Sequence, residues 1–163
     1  VYKRQELCCR GTCVTKGYLN KPEATREVFD EEGWFHSGDI AIMDKDRYAY
    51  IVDRKKDMIN VGGEKVFQSE VEDIMLTNPK IKDLVLIGVP DELKGETVKA
   101  FIELKPGDSA TIEEIQGFCK TRMAPYKIPS FIEFVPEIPR SASGKALRRI
   151  LRDQELAKMK GGS

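Results

Sequence analysis

The clearest pattern in the chain is the apolar run from Leu84 to Val89, too short for a helix and bounded by polar residues, which predicts a buried strand. Beyond it, Val98, Ala100, Ile102 and Leu104 alternate with other positions, as a half-buried strand does, and Pro106-Gly107 closes the segment. Helical spacing appears twice nearby. Ser69 with Glu72 reads as a capping box before Val71, Ile74 and Met75, and Asn78-Pro79 stops that helix. Thr111 with Glu114 reads as a second box before Ile112, Ile115, Phe118, Cys119 and Met123, a face that ends before Pro125. Phe131 to Val135 predicts another strand, and Leu147, Ile150 and Leu151 open a last helix whose other face is basic.

Between Asp57–Val61 and Lys65–Phe67 lies Gly62-Gly63, a dipeptide suited to a hairpin turn that needs positive φ. The earlier part reads as strands and turns. Tyr48 to Val52 is aromatic and β-branched after a polar turn at Asp44 to Arg47, and Glu23 to Phe29 forms a short helix. No long amphipathic helix covers these early strands, so their apolar faces need a partner outside this segment. The expected class is α+β, with about three helices on a small sheet with a β-hairpin over 57–157. A β-rich segment over 1–53, a hinge at 54–56 and a flexible tail at 158–163 complete the expected organisation.

Composition narrows the function more than the fold. The 27 basic and 27 acidic residues balance, so no overall field recruits nucleic acid or an anionic membrane. Cys8, Cys9, Cys13 and Cys119 lack a CxxC spacing, and His36 is the one histidine available to join them; no metal site is expected. No run of apolar residues is long enough to span a bilayer, and plain thiols suit a reducing, cytoplasmic setting.

Four residue groups can carry chemistry, and each has a plainer reading beside it. Asp39, after a glycine at the end of an aromatic segment, can accept two hydrogen bonds from a ribose diol, or be a solvated turn aspartate. Arg54 can donate a fork to ribose or phosphate oxygens, or belong, with Lys55 and Lys56, to a charged linker. Gly62 and Gly63 let a ligand approach the backbone, or simply make the turn. Lys145, after Gly144 in a loop of small residues, can neutralise charge where a carboxylate attacks a phosphate, or be a solvated lysine at a helix start.

GYLNKPEATREVF from Gly17, GWFHSGDI from Gly33, VDRKKDMINVGGEKVFQSEVE from Val52 and PRSASGKALRR from Pro139 resemble, in order and spacing, late motifs of the AMP-forming adenylating superfamily of acyl-CoA synthetases, luciferases and adenylation domains. The likeness runs from about Glu6 onward and is greatest to bacterial or archaeal fatty-acid–CoA ligases, through IVDRKKDMI, IGVPDE and YKIPSFIEF. The resemblance implies that Asp39 binds the ribose of ATP and AMP and that Arg54 supports that ribose and its phosphate. It also implies that Lys56 is a hinge, that Gly62 and Gly63 line the CoA channel, and that Lys145 serves adenylation.

The implied reaction joins a carboxylic acid to ATP as acyl-AMP, with release of pyrophosphate, and then passes the acyl group to CoA, the small domain rotating between the two steps. Mg2+ is expected to be bound mainly by a large N-terminal part that this sequence lacks, so the chain alone is expected to be inactive. Two features depart from the family. Gln5 stands where glycine is usual, which marks Val1 to Gln5 as atypical, and Arg47 occupies a turn position where glycine is usual. The alternatives are a stand-alone interaction or regulatory module, or part of an aryl-CoA ligase or carrier-protein adenylation enzyme.

Overall fold

A computed structural model of the chain describes residues 3–142 and 144–161. It divides into two compact units, residues 1–56 and 57–163, each taken by itself below.

The first unit is a three-stranded antiparallel sheet in the order β1 (Gln5–Cys9), β2 (Phe35–Met43), β3 (Ala49–Arg54), with a short helix α1 (Pro22–Val28) before β2. Gln5, the atypical residue of the sequence, pairs with Ala41 as an ordinary strand residue. Asp44 organises the β2–β3 turn: its Oδ1 accepts the N–H groups of Asp46 and Tyr48, and its carbonyl accepts that of Arg47. Arg47 has φ 68°, the left-handed conformation that makes glycine usual there.

The second unit is built on the hairpin of β6 (Ile81–Asp91) and β7 (Gly95–Leu104), paired from Ile81↔Leu104 to Asp91↔Gly95. With β6 along one edge of β7, the other edge is shared by β4 (Ile59–Val61), which meets it at Gly95, and by β8 (Phe131–Phe134), which runs parallel to Lys99–Ile102. β4 turns into β5 (Glu64–Val66) through Gly62 and Gly63, at φ 60° and 92°, the two-residue hairpin expected.

The two strands obey a period of two. Leu84, Leu86, Val98, Ala100 and Ile102 face α2 (Gln68–Leu76) and α3 (Ile112–Lys120), while Val85, Ile87, Val89 and Phe101 face Ile138 and Leu151, the latter on α4 (Arg148–Gly161). The alternation in β7 therefore does not mark a half-buried strand, because α4 and its approach cover the second face as well. That face carries Lys99 and Glu103, which ion pairs allow to be buried: Lys99 meets Glu133 and Glu155, and Glu103 meets Lys82.

Of the two capping boxes, Thr111–Glu114 forms with both of its hydrogen bonds. Ser69–Glu72 does not. Helix α2 starts at Gln68 with Phe67 as its cap, and Glu72 turns instead to the free edge of β6, where it accepts the Leu86 N–H and pairs with Arg148. Residues 158–161, expected as a flexible tail, continue α4 as helix. No described helix is long and apolar enough to cross a membrane.

Candidate nucleotide-handling site

In the first unit, antiparallel pairing sets Asp39 of β2 directly across from Arg54 of β3, with Arg54 Nε 3.4 Å from Asp39 Oδ1. Gly38, at φ 73°, turns the strand just before Asp39, and the Asp39 N–H donates to Ser37 Oγ, whose hydroxyl donates to the Leu7 carbonyl on β1. The carboxylate is thus held on a three-stranded frame rather than on a free turn. Ser37, Gly38, Asp39, Arg54, Lys55 and Lys56 line one open concavity of ≈ 340 Å³. Its walls offer a carboxylate for hydroxyl groups and cations for an anion, the donor and acceptor set that a nucleoside monophosphate needs.

A second polar group lies behind this wall. His36 bonds Glu6 through Nδ1 and Asp30 through Nε2, each at 3.2 Å, and Lys55 Nζ donates to Glu6 at 2.8 Å. The Lys55 hydrogen bond is the largest cause that holds the Glu6 carboxyl below its usual range; burial opposes it and His36 adds to it, while the two carboxylates push His36 upward. Glu6, Cys8 and His36 place one ligand atom each within 4.8 Å of one another, a donor set that the cysteine spacing did not foresee because strand pairing brings them together. Burial first, then Glu6 and Asp30, raise the Cys8 thiol, so it stays protonated, while Lys55 already neutralises Glu6. The group is a satisfied hydrogen-bond network.

The second unit holds the other candidates. Gly62 donates its N–H to the Lys94 carbonyl and Gly63 to Asn60 Oδ1, so the turn is tied to the β6–β7 bend. Lys145 lies on the loop between Pro139 and Leu147, closed by an Arg140↔Ala146 bridge, a Ser141 N–H to Lys145 carbonyl bond of 2.8 Å and a Lys145 N–H to Ser141 Oγ bond of 3.2 Å. Among the described residues the exposed Lys145 ammonium has no partner. Arg140 fastens the loop to Asp83 of β6.

Asp83 and Asp91 are roughly 27 Å apart along β6, at about 3.4 Å per residue. The Lys145 loop is therefore fixed near one end of the central hairpin and the Gly62-Gly63 turn near the other. Asp39, Arg54 and Lys56 share a surface; Lys145 and the glycine turn do not. Sequence reasoning passed over Arg140, Asp83 and Ser37, although Arg140 and Ser37 lie inside the very motifs it used.

Residues 70–145 match the model of the AMP-binding enzyme C-terminal domain. Those residues carry the C-terminal domain of the AMP-binding enzymes. The chain is 46% identical over 154 residues, 94% of its length, to a long-chain-fatty-acid–CoA ligase of Bacillus subtilis, of which it spans 27%. Among solved structures it resembles the Mycobacterium tuberculosis fatty acyl CoA synthetase (39% identity, TM-score 0.69, 96% of this chain and 31% of that one). It also resembles the Bacillus subtilis o-succinylbenzoate CoA synthetase in complex with an acyl-adenylate (33% identity, TM-score 0.79, 93% and 31%).

Proposed function

We propose that this chain supplies the ribose-holding strand and the small domain of an AMP-forming acid–CoA ligase that acts on a fatty acid. The acid rests on the fatty-acid ligase at 46% identity; ATP and CoA follow from the same kinship. Magnesium is assigned to residues outside this chain, because the Asp39 concavity offers one carboxylate already shared with Arg54.

The observation that carries the reading is the separation of the Lys145 loop from the Gly62-Gly63 turn at opposite ends of β6 and β7. One orientation of the small domain cannot offer both to one reacting centre, whereas two orientations can. In the first half-reaction a carboxylate oxygen attacks the α-phosphorus of ATP and pyrophosphate leaves. Negative charge crowds between two anionic groups, and the exposed Lys145 ammonium, without a partner among the described residues, is suited to stabilise it. In the second, the CoA thiolate attacks the acyl carbonyl and AMP leaves, with the glycine turn forming the wall of the pantetheine channel. Asp39 and Arg54 hold the ribose and its phosphate throughout, and Lys56, the last residue of the first unit, is the hinge. The four free thiols support a reducing compartment such as the cytoplasm.

The test is a chimera in which this chain replaces the matching segment of the Bacillus subtilis ligase. It should form acyl-AMP from a long-chain acid and ATP. Lys145→Ala should slow that step about 10²–10³-fold, the scale of losing one preorganised donor, and leave thioester formation from supplied acyl-AMP near the parental rate. A chimera that makes no acyl-AMP, or one indifferent to Lys145→Ala, overturns the reading.

A further inference from the structure

Lys145 sits in a loop of small residues that is closed by hydrogen bonds rather than by packing. Ser141, Ala142 and Gly144 offer no bulk to pack, Gly144 is at φ 78°, and the bonds that close the loop are exposed. Such a loop loses much conformational freedom on ordering and regains little from each exposed hydrogen bond. An ammonium that must meet a reacting phosphate needs a firmer base, since a misplacement of about 1 Å can cost about 10²-fold in rate.

The base runs through Arg140. Its Nε and Nη2 both donate to Asp83 Oδ2, and its Nη1 donates to the Gly144 carbonyl at 2.6 Å, one residue before Lys145. Asp83 is itself fixed: its Oδ1 accepts the N–H of Leu84, a core residue of β6. A continuous set of bonds thus joins the buried strand to the peptide that carries Lys145. Below the loop, Ile138 and Leu151 are packed in the core, so the arms are anchored without Arg140.

We propose that Arg140 is the positioning residue of the Lys145 loop, holding Gly144 and Lys145 at a fixed place on β6 through Asp83 for the adenylation step. The inference rests on the adenylation role proposed for Lys145. Lysine cannot replace Arg140, because the grip uses donors on opposite sides of one planar guanidinium. The ion pair itself is partly exposed and adds little to global stability, so the role separates from a merely structural one.

Two measurements test it. In the 163-residue chain, Arg140→Gln and Arg140→Lys should raise hydrogen exchange of the peptide covering Gly144 and Lys145 about 10-fold, with the urea midpoint unmoved. In the chimera, the same variants should lower kcat for acyl-AMP formation about 10-fold, leave the KM for ATP within about twofold and spare thioester formation from supplied acyl-AMP. Asp83→Asn should reproduce the loss, and its combination with Arg140→Gln should add nothing further. Unchanged loop exchange, full adenylation or rescue by lysine overturns the positioning role. Lys145→Ala run in parallel tells the two ideas apart: a slow Lys145→Ala beside a normal Arg140→Gln sinks only the positioning, whereas a normal Lys145→Ala sinks the adenylation reading beneath it.

Discussion

Lys99 of β7 and Glu155 of α4 meet beneath the last helix, Nζ to Oε2 2.6 Å, with side-chain exposures of 12% and 9%. The helix that follows the Lys145 loop is thereby bound to the central strand by charge as well as by Leu151. Burial pushes the Glu155 carboxyl up, but hydrogen bonds from Lys158 and Lys99 outweigh it and keep the group ionised.

Lys99→Met removes one of the two ammonium partners of Glu155 and leaves Lys158, so it is expected to cost about 1.5–3 kcal/mol of unfolding free energy, the scale of a hydrogen bond to a charged group. Replacing both, Lys99→Met with Glu155→Leu, should return stability to within about 1 kcal/mol of the parent, because neither desolvation cost remains. Urea unfolding of the four chains decides it. A double variant as unstable as the single would mean that the pair stabilises α4 outright.

His36 gives the first unit a pH dependence whose sign is set by its partners. Glu6 and Asp30 raise its pKa above 6.5, so the protonated ring contributes stability that is complete below pH 6.5 and is lost as pH rises through the folded value. Glu6 is lowered from 4.5, chiefly by Lys55, and Asp30 from 3.8, chiefly by the Trp34 N–H; their contributions are lost on acidification instead. The network is thus strongest between about pH 4.5 and 6.5. As the chain has one histidine, its NMR titration reads the ring directly. We expect a midpoint above 6.5 that falls in Glu6→Gln; a parental midpoint at or below 6.5 rules the arrangement out.

Local signals were legible where a single residue type has few alternatives. Gly62-Gly63 forms the turn because left-handed φ suits glycine, and Thr111–Glu114 caps its helix because Glu114 keeps its bond to the Thr111 N–H while also meeting Lys80. Ser69–Glu72 carries the same letters and fails because a distant strand edge and Arg148 claim Glu72. β7 looked half-exposed because Lys99 and Glu103 read as solvent-facing, whereas their partners lie far along the chain. Of the site, the family motifs carried Asp39, Arg54 and Lys145. The Asp39↔Arg54 register, the Cys8–His36 contact and the Arg140–Asp83 grip arise from pairing between segments, which no spacing records.

The Arg47 turn stores strain that one substitution should release. At φ 68° a side chain costs about 1–2 kcal/mol, while glycine restores about 0.4–1 kcal/mol of unfolded-state entropy, so Arg47→Gly should stabilise the first unit by roughly 0.5–1 kcal/mol. Amide exchange in β2 and β3, slowed by about two- to fivefold at that energy, is the measurement. Faster exchange would show that the Arg47 side chain contributes more than its backbone costs.

The reach of the central hairpin makes a crossed pair of phenotypes the sharpest consequence. Nothing lies within 4 Å of a Cβ built at Gly63, so Gly63→Ala meets no neighbour; with φ at 92° its cost is conformational, about 1–2 kcal/mol, and confined to a turn at the sheet margin. If that turn lines the CoA channel, displacing it should slow thioester formation from supplied acyl-AMP about 10-fold. Acyl-AMP formation should continue at the parental rate, because the Lys145 loop is held near Asp83, roughly 27 Å away along β6. Lys145→Ala should do the reverse in the same chimera. Loss of both half-reactions from either variant would mean that the two ends of β6 and β7 do not serve separate steps, and the two-orientation reading would fall with it.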